Sequence, residues 1–408
     1  MSYGSMAVDF ELRVDFSRLR KDRLRKSKEQ LNKAKLGALL CFDPDNVRYV
    51  TSATIGEWAR DKMNRFAILP RNGDPILFDV GSRVAVQNSP HGAPWLNGKV
   101  RPAVSWGRGA VPPEVKAVEK CAKTIKKVLS DHHIEKEPLG IDIMDFPLYK
   151  TLTSERVEIA DGQAPMLQAR LIKTEEEIEL LDMAAMMADC TYYELARAVK
   201  PGIRENDLVG IANKSLYSYG SDKVECVNCI SGPRTNPHHH DFTDRRLRPG
   251  DIVFFDIMHS YCGYRTCYYR TFSVGRPTKE QVERYQECLS WLQASIEVVK
   301  PGATTAEIAS RWPGPEVLGC KDESEVLACQ WGHGIGMSIW ELPVISRAWS
   351  IEKPYRLQEN MVMAMETYAG PKDSDFGIRI EEEVVVTATG HKVITRFPVD
   401  DLIACPII

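Results

Sequence analysis

The sequence has no long apolar run, and no stretch approaches the roughly 18 consecutive hydrophobic residues that mark a membrane-spanning helix. It also lacks an excess of charge of either sign, because 53 lysines and arginines face 56 aspartates and glutamates for a net charge of −3. This balance gives no electrostatic reason to expect nucleic acid or an anionic membrane as a partner. We therefore expect neither nucleic acid nor a membrane as a partner.

The sequence also shows neither the layout of a secretion signal nor the cysteine spacing of a disulfide framework. The first residues, MSYGSMAVDFELRVDF, do not follow the basic-then-apolar layout of a signal peptide. The 11 cysteines are odd in number and irregularly spaced, which is typical of reduced thiols. Both observations predict a cytoplasmic protein.

The first 165 residues alternate between short apolar runs and helix-prone stretches. Leu36–Phe42 and Leu139–Ile143 have the composition of buried strands, and Val115–Leu129 is compatible with a helix between them. Alternating strands and helices favour a small α/β domain. We place its end at residue 165.

The second region, residues 166–408, contains a repeated pattern. Thr174 begins a capping box and a helix that ends at Lys200–Gly202, and about 100 residues later Thr278 begins another that ends at Lys300–Gly302. A further helix follows each Lys-Pro-Gly. The repeat predicts an internal duplication, with two α+β halves around a curved antiparallel sheet.

The stretch Asp251–Gly275 predicts a β-hairpin inside this region. If Asp256 and Cys267 are cross-strand partners, the connection is Ser260–Gly263. Directly opposed residues have Cβ atoms roughly 4.5–5.5 Å apart. A carboxylate and a thiol would then lie side by side on an apolar platform.

The midpoint between two paired residues also predicts a second hairpin. Glu366 and Glu381 have their midpoint inside the turn-rich Pro371–Gly377 loop, and His333 lies between glycines that allow close backbone approach. Carboxylates and an imidazole on apolar strands are costly to bury unless they share a cation or protons. Such ligands suit Zn, Mn, Fe or Co. The simpler alternative is that Glu366 or Glu381 forms an ordinary salt bridge with Arg379 or Arg265.

The order of these residues resembles the pita-bread family, which includes methionine aminopeptidase, Xaa-Pro aminopeptidase, prolidase and creatinase. The matching positions, one of them in GHGIG and one in IRIEEEVVVT, are Asp256, His333, Glu366 and Glu381. The resemblance implies an α+β fold, with an N-terminal creatinase/prolidase-like α/β domain over residues 1–165 and a C-terminal pita-bread domain over 166–408. It also implies a homodimer.

The resemblance breaks at two positions. The peptidases carry a second metal-bridging aspartate where this sequence has Cys267, and a substrate-binding histidine where it has Trp340. Both departures argue against a dinuclear aminopeptidase. What remains implied is one divalent metal (Fe, Zn or Mn) held by Asp256, His333, Glu366 and Glu381, or no metal, as in creatinase.

Two members of the family resemble the sequence more closely in places. Creatinase is similar around Gly263–Thr266 and Arg270–Thr271. The dimethylsulfoniopropionate lyase of the same fold is similar at FDPDNVRY (residues 42–49) and SGPRTNP (231–237). The expected function is therefore hydrolysis of a C–N bond in a small cationic or zwitterionic amino-acid-like compound. The alternatives are a C–S or C–N lyase and a catalytically inactive binding protein.

The run His238–His240 precedes the hairpin. Consecutive residues on an extended chain point to alternate sides, so one site can use only some of them. By the resemblance, counting back from Gly250–Asp251 selects His239 as general acid and base, with His240 next. The expected catalytic residues are His239, His333, Glu366 and Glu381.

Aromatic and basic residues complete the expected site. Cys267 is a small filler, a soft ligand to a single metal, or a nucleophile activated by a nearby base. Aromatic faces beside carboxylates suit a small cation, and arginines suit a carboxylate. The predicted substrate-binding residues are Arg60, Arg65, Tyr264, Arg265, Cys267 and Trp340.

Overall fold

The structure is a computed structural model that describes residues 14–53, 63, 65–80, 96–326 and 329–407. The chain divides into two compact units, Met1–Arg170 and Leu171–Ile408. The boundary predicted from the sequence, between residues 165 and 166, falls inside the helix Gln163–Leu171 and stays a prediction.

The first unit is built around a mixed six-stranded sheet in the order β4-β3-β2-β1-β5-β6. Its strands are β1 Ala38–Cys41, β2 Phe66–Pro70, β3 Ile76–Val80, β4 Val100–Ala103, β5 Leu139–Ile141 and β6 Ile159–Asp161. Its helices are α1 Phe16–Lys33, α2 Pro44–Thr51, α3 Ala117–Asp131, α4 Phe146–Ser154 and α5 Gln163–Leu171. Apolar residues of the strands and of α3 and α4 form its core. This is the α/β organisation that the alternating pattern predicts.

The second unit places helices beside two antiparallel hairpin layers. Its helices are α6 Glu175–Ala198, α7 Glu205–Tyr219, α8 Lys279–Glu297, α9 Thr305–Ala309 and α10 Arg347–Ser350. Its strands are β7 Lys223–Ser231, β8 Ile252–Tyr261, β9 Tyr264–Val274, β10 Trp331–Gly334, β11 Glu341–Ile345, β12 Val362–Ala369, β13 Ile378–Val386, β14 His391–Val393 and β15 Ile403–Cys405. The sheets have the orders β15-β9-β8-β7 and β11-β10-β12-β13-β14. No helix among the described residues is both long and apolar enough to cross a membrane.

The two halves of this unit repeat the same local geometry. Thr174 and Thr278 each form the predicted capping box at the start of α6 and α8. Gly202 and Gly302, which follow those helices, both have φ of 87°. Their backbone N–H groups donate to loop carbonyls at 2.8 and 2.9 Å in equivalent positions. These matches support the predicted duplication.

Strands β9 and β13 form the seam between the two sheets. The side chain of Glu383 on β13 accepts hydrogen bonds from the Cys267 N–H at 2.7 Å and the Thr266 hydroxyl at 2.9 Å. The Thr271 hydroxyl donates to the Arg379 carbonyl at 2.6 Å. Side chains thus join the edges of the two hairpins and fix which residues face each other across the seam.

His259 on β8 contacts α6 on the opposite face of its sheet. Its Nε2 lies 2.9 Å from the Ala184 carbonyl oxygen, and its Nδ1 lies 3.1 Å from Ser221 Oγ. Burial lowers the pKa of His259 from 6.5 to about 4. The folded protein therefore holds this imidazole neutral near pH 7.

The buried neutral imidazole predicts a loss of stability in mild acid. The unfolded chain binds a proton first as the pH falls, so stability is full above pH 6.5 and declines towards pH 4. A shift of this size is equivalent to about 3 kcal/mol. We expect His259→Gln to flatten the decline in thermal denaturation, whereas His133→Asn, at an exposed position, should keep it. An unchanged slope in the His259 variant would contradict this assignment.

Candidate active site

The first hairpin turns one residue later than predicted. Tyr261 pairs with Tyr264, which leaves Cys262 and Gly263 as a two-residue loop with φ values of 49° and 89°. Positive φ at both loop positions is the requirement of a type I′ turn. The four-residue connection starting at Ser260 is therefore wrong.

The shorter turn moves the register by two residues. Asp256 pairs with Tyr269, and Cys267 pairs with Met258, so the predicted Asp256–Cys267 pairing is wrong. A shift of two keeps every side chain on its face of the sheet. The two residues are diagonal neighbours, and Cys267 Sγ lies 3.6 Å from Asp256 Oδ1.

The second hairpin has the predicted register. Glu366 on β12 pairs directly with Glu381 on β13, across the Pro371–Gly377 connection. Trp331 on β10 pairs with Glu366 on its other side. His333 lies two residues along β10, on the same face as Trp331. The glutamates and the histidine therefore lie on neighbouring strands.

A cavity of about 180 Å³ opens where the two hairpins meet. Its walls combine carboxylates, an arginine, two histidines, a thiol and aromatic rings. The lining residues are Asn228, His240, Asp256, Met258, Cys267, Tyr269, His333, Ile339, Trp340, Glu366 and Arg379. Polar groups that converge beside aromatic faces in a concave pocket are typical of small-molecule sites.

Arg379 forms one wall of the cavity and pairs with Glu366 through Nη2. Its Nη1 donates to the Cys329 carbonyl oxygen at 2.9 Å. The guanidinium carbon lies 5.0 Å from the Tyr269 ring centre and 6.0 Å from that of Tyr368. The salt bridge that the sequence offered as the simpler alternative therefore exists, and it occupies one of the two glutamates.

Cys267, His333 and Glu381 form a compact group of donor atoms. One atom from each residue lies within 4.8 Å of the others, and all three side chains are buried. Neither carboxylate oxygen of Glu381 has a hydrogen-bond partner among the described residues. A buried carboxylate without partners is costly. A thiol, an imidazole and a carboxylate so arranged fit a divalent metal ion.

Burial dominates the electrostatics of the site. Burial, followed by the charge of Glu366, raises the pKa of Asp256 to about 7 and that of Glu381 well above its ordinary value. Burial also raises the pKa of the Cys267 thiol and lowers the pKa of His333. The crowded carboxylates therefore favour a shared proton or a bound cation.

The histidine run contributes His240 to the cavity, whereas His239 is exposed and is not part of its lining. The rings of His238 and His240 lie 4.5 Å apart, and His238 also stacks on Phe254 at 5.2 Å. The structure thus places the first and third histidines on one side, as expected for an extended segment. The catalytic role predicted for His239 stays a prediction, although it is His240 that lines the cavity.

Trp340 and Cys267 line the cavity, whereas Tyr264 and Arg265 do not. The Tyr264 hydroxyl donates to Glu177 at 3.0 Å. Arg265 is buried in an ion pair with Glu225 at 3.0 Å. Both side chains are therefore held by partners in the scaffold.

The remaining predicted arginines belong to the first unit. Arg65 forms an ion pair with Asp79 there. Arg60 lies outside the described residues. A role for either in substrate binding stays a prediction, as do the catalytic and metal-binding roles assigned to the other residues.

Asn228 is a site residue that the sequence reasoning missed. Asn228, Asp256 and Tyr269 form one row across β7, β8 and β9. The Asn228 amide donates to Asp256 Oδ2 at 3.5 Å. The signal was the alternating pattern of VECVNCIS, which places Cys226 and Asn228 on the same face of their strand.

The fold is shared with a dipeptidase and a prolidase of known structure. The dipeptidase PepE from Mycobacterium ulcerans superimposes with a TM-score of 0.74 over 96% of this chain and 99% of its own, at 24% identity. A prolidase from Thermococcus sibiricus gives a TM-score of 0.77 over 94% of this chain and 99% of its own, at 22% identity. The fold is therefore that of the pita-bread class.

Sequence comparisons identify the family. Residues 179–388 match the model of metallopeptidase family M24, and the chain belongs to that family. The dimethylsulfoniopropionate lyase DddP of Roseobacter denitrificans is 25% identical over 95% of this chain and 87% of its own length. The Xaa-Pro dipeptidase of Pyrococcus furiosus is 31% identical over 56% of this chain and 64% of its own. The chain is thus an M24-family enzyme with both lyase and peptidase relatives.

Proposed function

We propose that this enzyme cleaves a C–S or C–N bond by elimination in a small zwitterion. The substrate would carry a cationic sulfur or nitrogen at one end and a carboxylate at the other. The supporting observation is the cavity of about 180 Å³, which combines carboxylates and aromatic faces with one arginine. Similarity to a dimethylsulfoniopropionate lyase extends over nearly the whole chain, which also favours this class of substrate.

Charge would orient the substrate in the cavity. The faces of Tyr269 and Trp340 and the carboxylate of Asp256 suit the cationic end. Arg379, which lines the cavity, suits the carboxylate. Trp340 is 53% exposed and stacks on His333 at 4.7 Å, so it would cover the mouth of the cavity.

His240 would transfer the proton. It lines the cavity and is also exposed, so it can exchange a proton with solvent after each turnover. It would take the proton from the carbon next to the carboxylate. The electron pair left behind would form the double bond as the C–S or C–N bond breaks, which releases a neutral sulfide or amine and an unsaturated acid.

A divalent metal, if bound at Cys267, His333 and Glu381, would supply Lewis acidity beside the substrate. Among the described residues these three give the compact donor set. The predicted ligand set differs, because Glu366 is paired with Arg379. Assembly as a homodimer belongs to the same proposal.

Hydrolysis of a C–N bond, as in creatinase, is the second candidate function. The peptidase relatives favour it, because the Pyrococcus furiosus protein that aligns with the catalytic region is named an Xaa-Pro dipeptidase. Carboxylates beside a metal site also suit activation of water. In this case Asp256 would accept the proton of the attacking water.

Product analysis separates the two reactions. The protein, assayed as purified and after addition of Zn²⁺, Fe²⁺ or Mn²⁺, would be incubated with sulfonium, quaternary ammonium and guanidino acids and with Xaa-Pro dipeptides. An unsaturated acid seen by NMR supports elimination, and incorporation of ¹⁸O from labelled water supports hydrolysis. Cleavage of the dipeptides alone would overturn the non-peptidase proposal.

Neighbouring histidine variants test the proton-transfer role. We expect His240→Asn to lower kcat about 100-fold, because general acid–base catalysis contributes effects of this order. His239→Asn is the matched control, since its side chain is exposed and does not line the cavity. Equal losses in the two variants would contradict the assignment of His240.

A further inference from the structure

We propose that Cys267 is a thiolate ligand and that Cys267, His333 and Glu381 hold one borderline-soft divalent cation of the Zn²⁺ type. The inference concerns the site of the proposed function and specifies its metal chemistry. It rests on the donor set, whose atoms lie within 4.8 Å of one another, and on the unpartnered oxygens of Glu381.

The other two acidic residues of the cavity have partners within the protein. Glu366 is paired with Arg379. Asp256 accepts a hydrogen bond from the Asn228 amide at 3.5 Å, which does not depend on the Cys267 thiol. A second cation would have to displace these contacts, so the geometry supports one metal ion rather than two.

The donor types decide which metal fits. Thiolate and imidazole favour Zn²⁺ over Mg²⁺ or Ca²⁺, which prefer oxygen ligands only. Three protein ligands with an open fourth position are typical of catalytic zinc. On binding, the Cys267 sulfur forms a bond to the metal and its proton passes to solvent. Glu381 would gain the partner that its oxygens lack.

Cys226 provides a matched control within the same sheet. Cys226 pairs with Met258, which pairs with Cys267, so the two thiols lie in one row two strands apart. Cys226 Sγ lies 3.2 Å from Asn228 Oδ1 and is not part of the compact donor group. Removing this thiol should leave the metal site unchanged.

Cobalt binding tests the inference without any substrate. Protein stripped with a chelator would be titrated with Co²⁺ and followed by absorption and elemental analysis. We expect one equivalent of cobalt and a near-ultraviolet thiolate-to-cobalt band in the wild type and in Cys226→Ser. The band should vanish in both Cys267→Ser and Cys267→Asp. Circular dichroism would check that each variant is folded.

Several outcomes would overturn the thiolate site. These are cobalt binding by the wild type without a thiolate band, retention of the band in Cys267→Ser, and no cobalt binding at all. The wild-type spectrum decides the matter even if a variant fails to fold. Absence of turnover with the band present would overturn only the proposed function, and turnover without the band would overturn only this inference.

Discussion

Replacing Arg379 by Met is expected to lower the free energy of unfolding by about 3–5 kcal/mol, because it leaves Glu366 as a buried charge without its partner. Both side chains of the pair are largely buried, at 3% and 11% exposure. The variant also loses the hydrogen bond to the Cys329 carbonyl at 2.9 Å. Thermal denaturation of chelator-treated protein should show a melting temperature lower by about 6–20 °C.

Two further variants distinguish an orphaned charge from simple loss of packing. Arg379→Met combined with Glu366→Gln removes both charges and should recover part of the stability. Arg197→Met removes an ion pair whose two side chains are 74% and 41% exposed. It should lower the free energy of unfolding by less than about 1 kcal/mol. If the double variant were no more stable than the single one, the charge explanation would be wrong.

The internal duplication and the second hairpin could be predicted because their signals are local. Capping residues such as Thr174 and Thr278 mark helix starts whatever the surroundings. The Glu366–Glu381 pairing followed from the centre of a loop rich in turn residues, and the structure confirms it. Both inferences needed only short-range chemistry.

The first hairpin shows where such reasoning ends. The sequence SYCGY allows more than one turn, and moving the turn by one residue moves the pairing by two. The type I′ turn requires Cys262 in the left-handed region, which non-glycine residues adopt only when the rest of the hairpin compensates. That compensation comes from tertiary packing, which the local sequence does not contain.

Long-range contacts were also beyond the sequence. The choice between His239 and His240 depends on which side of an extended segment faces the cavity. The pairing of Arg379 with Glu366 rather than Glu381 depends on side-chain geometry across the strands. Each of these outcomes changes the expected chemistry, because it decides which groups remain available to a ligand.

The ion pair between Lys173 and Glu341 supports the loop that carries the aromatic cover of the cavity. The two side chains are 1% and 0% exposed, and Nζ lies 2.9 Å from Oε2. The other oxygen of Glu341 accepts a hydrogen bond from the Ser338 N–H at 3.1 Å. A side chain at Gly336 would lie 2.5 Å from the same carboxylate, so the loop is folded closely around it. Trp340 lies directly before Glu341 in this loop.

Replacing Lys173 by Met is therefore expected to lower the free energy of unfolding by about 3–5 kcal/mol, because it removes the ammonium group that pairs with the buried carboxylate of Glu341. The loop should loosen at the same time, which would raise KM for any substrate that Trp340 covers and raise the solvent accessibility of its indole. Thermal denaturation and quenching of tryptophan fluorescence by acrylamide measure the two effects.

Two control variants test whether the loss of stability comes from the burial of the Lys173 ion pair rather than from ion pairing in general. Lys279→Met breaks a lysine–glutamate ion pair with an N–O distance of 3.2 Å, whose two side chains are 90% and 63% exposed. Because this pair is exposed, its loss should lower the free energy of unfolding by less than about 1 kcal/mol. Combining Lys173→Met with Glu341→Gln removes both charges and should recover stability relative to Lys173→Met alone. It should leave the loop partly loosened, because the ionic contact that anchors it is still missing. A Lys173 variant as stable as the Lys279 variant would show that the buried pair does not hold this loop.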